Sequence, residues 1–265
     1  MRMGADMRTA PLLAGVTALL ALTACTPQPA RPAPPTPPPA STVPPSVAPG
    51  PPFQPEAVLA ALATAVQPRG SVPPPELLAE EELGSVEITP CRLFTAEARP
   101  GESFTPPEPI FAGSLEVNPT ASFAGVQQPT TVMEVTVTGF ASAATAERVA
   151  ARARSVRCTP EFVLSYTTTE ARRAATVVRV GARPARLTTG TVPGPHPGQQ
   201  LGFMPGEAHL LLAHGPLLLT VGVLKLGPGS SGPAVTALAR QTAFEVTTAA
   251  LGALPLTATP ANSPS

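Results

Sequence analysis

Three histidines, His196, His209 and His214, are the side chains of this chain best suited to proton transfer or metal ligation near neutral pH. An odd number of positions separates His209 from His214, so on one strand they point to opposite faces and cannot converge on one ion without a bulge. His196 belongs to a Pro- and Gly-rich stretch, Pro193 to Gly198, that reads as a loop. Ser230 and Ser231 sit between glycines just ahead of a helical pattern, where backbone N–H groups could cradle an anion; an ordinary helix cap is the expectation. Arg148, Arg152 and Arg154, with Arg172, Arg173, Arg183 and Arg186, would recognise an anion if the fold gathered them, and a solvated face is expected otherwise. No Gly-x-Ser-x-Gly elbow, Walker motif, His-Glu-x-x-His or dinucleotide fingerprint occurs. The expectation is a non-enzymatic protein with no catalytic residue, metal ligand or cofactor.

Composition narrows the chemistry further. Basic and acidic residues balance at 17 each and make up only 13% of the chain, so no long-range field steers it to nucleic acid. Asp6 is the only aspartate, which removes the Asp forms of the calcium loop, the hydrolase triad and the magnesium carboxylate. With 4% aromatic residues and no Trp, a core must be built from Val, Leu and Ala.

The cysteines carry the clearest covalent chemistry. Behind Arg2 and Arg8, an apolar run from Pro11 to Leu22 falls short of the ~18 to 20 residues that span a bilayer. It ends in Leu22-Thr23-Ala24-Cys25, which resembles a bacterial lipobox. That resemblance implies diacylglycerol on the Cys25 thiol, removal of residues 1–24, and a protein held on the extracytoplasmic face of the cell membrane, with ~0.8 kcal/mol per buried CH₂ anchoring it. An ordinary secretory signal with Cys25 free is the alternative. In an exported chain the remaining pair, Cys91 and Cys158, is expected to form a disulfide, worth about 4 kcal/mol on the chain-entropy account. A two-Cys metal or redox site would want close spacing or nearby histidines, and neither cysteine has them.

These residues need elements to position them. Residues 25–72 read as a Pro-rich linker, polyproline II over most of its length, with one short helix at Pro55 to Gln67 that is only marginally attached. The linker from Thr26 to Pro55 could reach on the order of 90 Å at ~3.1 Å per residue. The folded domain is expected over residues 73–254 and a disordered tail over 255–265. Within the domain, Glu76 to Leu83 reads as a helix. Ser85 to Thr89, Ile110 to Val117 and Val132 to Thr138 read as strands, the last with Met133, Val135 and Val137 on one face. Ser142 caps a helix with Ala146, Val149, Ala150, Ala153 and Val156 as its stripe. A meander follows through Glu161 to Thr168, Ala175 to Gly181, Arg186 to Val192, Gln200 to Met204, Ala208 to His214 and Leu217 to Leu224. A last helix from Pro233 buries Val235, Leu238, Ala239, Thr242, Val246 and Ala249. The predicted fold class is α+β: a single domain with an antiparallel sheet and about three helices on one face.

Leu83-Gly84, the strand leading into Gly139-Phe140-Ala141-Ser142-Ala143-Ala144, the Ala-rich helix ending in Arg157-Cys158, and the closing helix Pro233 to Leu251 form a recognisable order. Over roughly Pro73 to Leu254 the chain resembles the actinobacterial lipoprotein and sensor-kinase extracellular domains called PknH-like. That resemblance implies a cleft binding an extracellular ligand, and no catalytic residues. The function expected is a membrane-anchored ligand-binding or sensor module, its ligand small or amphipathic, held in an apolar cleft between sheet and helices with an Arg at the rim for any anionic group. A lipid or glycolipid carrier and a structural partner in envelope assembly are the alternatives.

Overall fold

The structure is a computed structural model that describes residues 53–117, 130–163, 170–192, 204–227 and 231–254, all within one compact unit. Cys25, the leader, most of the linker, His196, Ser230, the stretch 200–203 and the tail 255–265 lie outside the described residues.

Eight antiparallel strands form one sheet in the order β1-β2-β3-β8-β7-β6-β5-β4. They are β1 Glu76–Leu77, β2 Phe111–Val117, β3 Thr130–Gly139, β4 Glu161–Val163, β5 Glu170–Val180, β6 Arg183–Thr191, β7 Met204–His214 and β8 Leu217–Gly227. From β4 to β8 the chain is a simple meander, as the alternating runs predict, with Gly181 and Gly215 at positive φ in the β5–β6 and β7–β8 turns. β8 then pairs with β3 in the sheet centre.

Register explains how both faces become useful. Leu115, Val135, Val221, Leu210 and Leu187 lie opposite one another across five strands and form the inner face. Two helices cover it: α1 (Pro55–Val66) and α3 (Gly232–Ala253). The third, α2 (Ala143–Ser155), packs Ala146, Val149, Ala150 and Ala153 on the opposite face, against Leu211, Ala213 and Leu218. One antiparallel sheet with helices is what the patterning predicts; the placement of all helices on one face is corrected. The reason is in β7 and β8, whose runs Leu210–Ala213 and Leu217–Leu219 are apolar at successive positions and so need cover on both sides.

The boundary expected at Pro73 also moves. Val58, Leu59, Leu62 and Val66 of α1 are all buried in the main core, with Leu62 fully enclosed. Pro55 starts this helix and a 3-10 turn through Pro68 ends it, as the residue types require. The helix expected over Glu76 to Leu83 is instead the short edge strand β1 followed by a 3-10 turn, Glu80–Ser85. Ser85 to Thr89 contributes one bridge, Ile88 to Phe104, in place of a strand.

α3 is rotated from its predicted face. Val235, Ala239 and Val246 are buried as expected, but Thr236, Ala243, Thr247 and Ala250 join them while Leu238 stays 48% exposed. Close approach decides this: a Cβ on Gly206 of β7 would lie 2.4 Å from the Thr236 nitrogen, so only small residues fit between helix and sheet. Thr236 and Thr247 donate their hydroxyls to the helical carbonyls of Gly232 and Ala243, which makes their burial tolerable.

Candidate ligand-binding groove

α2 covers only part of the outer sheet face. Beside it, Ser114, Thr136 and Thr220 stand in a row across β2, β3 and β8, and Glu134, Thr138, His209 and Leu211 complete a floor on the same face. The segment from Glu76 to Arg92 bends over this floor and supplies a wall with Leu78, Glu82, Val86, Glu87, Ile88 and Arg92. The half-open groove measures about 740 Å³, within the range of small-molecule sites. Glu76, Glu82, Glu87 and Glu134 line it against a single arginine, Arg92, and the His209 ring. Glu134 also lies directly opposite Glu116 on β2, a like-charge pair that costs stability unless a cation comes to it. Within the wall, Glu82 accepts the Ala79 N–H at 3.2 Å, and Glu87 accepts the Ser103 hydroxyl.

The wall is held by buried polar groups that patterning did not single out. Glu207 on β7, 2% exposed, accepts the Phe94 N–H at 2.6 Å, the Thr95 N–H at 3.4 Å and the Thr95 hydroxyl. Burial raises its pKa, with these hydrogen bonds working against the rise. At the far end of the segment Glu102 takes the Arg99 N–H at 2.8 Å, the Thr159 N–H, and Arg173 Nη1 at 2.8 Å in a pair almost closed to solvent. Burial by itself would push the Glu102 carboxyl up; the two backbone amides and the guanidinium more than reverse that and hold it at about 2. A disulfide joins Cys91 to Cys158, tying the segment to the end of α2.

The predicted arginine set is dispersed. Arg173 is spent on Glu102, and Arg186 is buried against the disulfide and the end of α2. Arg152 lies over the Phe104 ring at 4.1 Å, Arg154 reaches Glu147 and the Pro184 carbonyl, and Arg148 bonds the Thr145 hydroxyl. Arg172 is exposed and Arg183 lies at the β5–β6 turn. Neither outcome considered for the set, an anion cluster or a wholly solvated face, describes it. A buried Glu and Arg far apart in sequence give no periodic signal; only their low-frequency appearance inside apolar strands, as in Arg186-Leu187 and Glu207-Ala208, marks them.

Ser231 is the N-cap of α3, its hydroxyl accepting the Ala234 N–H at 3.4 Å, as expected. Ser142 caps α2 in the same way through Thr145. His209 and His214 share β7 and face opposite sides. His209 lies against Phe94 at 5.1 Å between ring centroids, and its Nε2 is buried without a hydrogen-bond partner among the described residues. Burial, with the Arg92 charge, lowers its pKa to about 3. His214 is buried on the inner side, neither ring nitrogen partnered, its pKa lowered to about 4 by burial and by Arg183. Both rings are therefore neutral at physiological pH, far from the value that suits a general base. Among the described residues no group of three His, Cys, Asp or Glu could hold a metal ion, and no helix is long and apolar enough to cross a membrane.

These shifts set an acid limit. A histidine depressed in the fold leaves the unfolded chain binding protons first, so stability falls as pH drops below the unfolded value of 6.5 toward 3 to 4. Each histidine contributes up to roughly 1.4 kcal/mol per pH unit, and Glu102 adds the same sign between 4.5 and about 2. Glu207, shifted upward, opposes them because the folded state protonates first. Urea midpoints are expected to fall from pH 6.5 to 4.5, and His214→Leu to flatten part of that fall. A midpoint that is level or rises over this interval would contradict the burial of neutral imidazoles.

No protein-family model matches the chain, and no curated protein matches it. Among solved structures the chain is similar to the extracellular domain of PknH from Mycobacterium tuberculosis, at 12% identity over 73% of this chain and 90% of that one, with a TM-score of 0.41. A likeness at that level identifies neither ligand nor role.

Proposed function

We propose that this chain is a lipid-anchored, extracytoplasmic and non-enzymatic binding or sensor module, with its ligand in the groove on the outer sheet face. One observation carries the ligand reading: a concave site of about 740 Å³ whose floor is a cross-strand row of hydroxyls and whose carboxylates outnumber its basic residues. Hydroxyls and carboxylates recognise hydroxylated and cationic groups by hydrogen bonds and charge. The ligand class is accordingly a small amine-bearing polyol, such as an amino sugar, which narrows the small or amphipathic ligand expected from sequence and replaces the anionic group expected at an Arg rim with a cationic one. A lipid carrier would want an enclosed apolar chamber, and a partly open groove with four carboxylates in its lining favours it less. The anchor rests on Leu22-Thr23-Ala24-Cys25.

Thermal shift with the full chain tests this reading, using glucosamine, glucose, acetate and phospholipid micelles as probes, alongside fractionation of cells carrying Cys25→Ala. Ligand at 100 times its dissociation constant adds about 2.7 kcal/mol to the folded state. Glucosamine is expected to raise the midpoint by several degrees, Glu134→Gln and Thr136→Val each to abolish that rise measured against the variant's own unliganded midpoint, and Cys25→Ala to leave the membrane fraction. A rise with acetate or lipid only, or no rise with any probe, would reject the ligand class; Cys25→Ala remaining membrane-bound would reject the anchor.

A further inference from the structure

Arg186 is a buried cation placed on a disulfide. It rises from β6, is 3% exposed, and forms no salt bridge among the described residues. Its Nη2 lies 2.7 Å from Cys158 Sγ and 3.6 Å from Cys91 Sγ. The rest of the guanidinium is spent on neutral acceptors: the carbonyls of Ala153, Arg154 and Pro90 and the Thr188 hydroxyl. Two of those carbonyls belong to the last turn of α2, whose negative end would by itself disfavour an anion nearby. The guanidinium stands between that end and the sulfurs and reverses the sign.

No carboxylate among the described residues is in salt-bridge contact with this cation, and the Glu102 charge only partly offsets its burial. Glu102, the acid nearest in the network, is already committed to Arg173 and to the amides of Arg99 and Thr159. Arg92 follows Cys91 and Arg157 precedes Cys158 in the chain, both of them exposed, while Arg154 of α2 is paired with Glu147. Burial also makes the Arg186 cation harder to sustain, and an adjacent anion would relieve that cost. Cys91 is fully buried whereas Cys158 is partly open, which fixes the direction of approach.

We infer that Cys91–Cys158 is an exchange-active disulfide, a site for reaction with an external dithiol, with the Arg186 guanidinium in reach of both sulfurs, 2.7 Å from the one attacked and 3.6 Å from the one that leaves, so that it stabilises thiolate once the bond opens. The attacking thiolate bonds to Cys158 Sγ and the Cys91–Cys158 bond breaks, its electron pair remaining on Cys91 Sγ beside Nη2. The reductant's second thiolate then displaces Cys158 from the mixed disulfide. Two electrons have passed from the dithiol, now a cyclic disulfide, to a protein holding two thiols or thiolates. A low leaving-group pKa accelerates the first displacement, and stabilising the reduced form makes the bond more oxidising. Because Cys91 lies in the segment that walls the groove, reduction releases that wall from the end of α2.

Equilibration of the folded full chain with mixtures of reduced and oxidised dithiothreitol, followed by alkylation and intact mass, reads the outcome. The wild type is expected to be half-reduced at a dithiothreitol ratio at least tenfold less reducing than Arg186→Met requires, with Arg186→Lys in between. Equal ratios for wild type and Arg186→Met, or a bond that yields only when the protein unfolds, would overturn the inference. Should Arg186→Met fail to fold, the 240 nm absorbance of reduced wild type decides: a thiolate appearing with its midpoint at least tenfold in proton concentration below the ordinary pH of about 8.5 supports it, and a midpoint at or above that value refutes it.

Discussion

A chain shortened to begin at Val72 will lose cooperative folding. Four side chains of α1, Val58, Leu59, Leu62 and Val66, are 3% exposed or less, and each contributes roughly 1.5 to 3 kcal/mol by leaving water. Their sum, on the order of 6 to 12 kcal/mol, is comparable with the whole net stability of an ordinary domain. The inner sheet face would in addition be uncovered where Leu59 now approaches Gly113 so closely that a Cβ there would sit 3.0 Å from it. Urea titration followed by circular dichroism reads the effect, with Leu62→Ala in the full chain as the milder case at about 2 to 5 kcal/mol. A truncated chain with an unshifted, cooperative transition would show that α1 is dispensable.

Glu102→Ala is expected to cost about 3 to 5 kcal/mol, the usual range for leaving one partner of a buried ion pair unmatched. It strands the Arg173 guanidinium, 4% exposed, and leaves the amides of Arg99 and Thr159 without their acceptor. Arg173 has a further contact through Nη2 to the Glu97 carbonyl at 3.2 Å, which cannot replace a carboxylate charge. Adding Arg173→Met to Glu102→Ala should recover part of the loss, since both charges are then gone and Met can still pack beside Phe162, over which the guanidinium now lies. The single variant should also lose the acid dependence between pH 4.5 and about 2, because a depressed carboxyl gives stability above its unfolded pKa that disappears as pH falls through the folded value. A loss below 1 kcal/mol, or a double variant less stable than the single one, would argue against the pair as drawn.

Strand and helix identities were largely legible because each has a local period. Val132 to Thr138 alternates, and the structure places Met133, Val135 and Val137 inward; Ser142 and Ser231 mark helix starts by side chains that accept their own amides. The groove was legible only in part. Its wall comes from Glu76 to Arg92, where short elements joined by Pro and Gly have no period to read, and its floor mixes residues of β2, β3, β7 and β8 that become neighbours only through pairing. The dispersal of the arginines was not legible, since Arg173 and Arg186 differ from Arg172 and Arg183 only in which face of a strand they occupy.

What the sequence by itself determined was local: two cysteines, Cys91 and Cys158, able to bridge, and strands and helices set by spacing. Tertiary structure alone decided that α1 belongs to the core, that α2 lies across the sheet from α1 and α3, and that Glu102, Glu207 and Arg186 are buried. The physical reason is one of range. Periodicity and capping act over a few residues, whereas face, burial and charge pairing depend on contacts such as Glu102 with Arg173 and Arg186 with Cys91, which chain order leaves far apart.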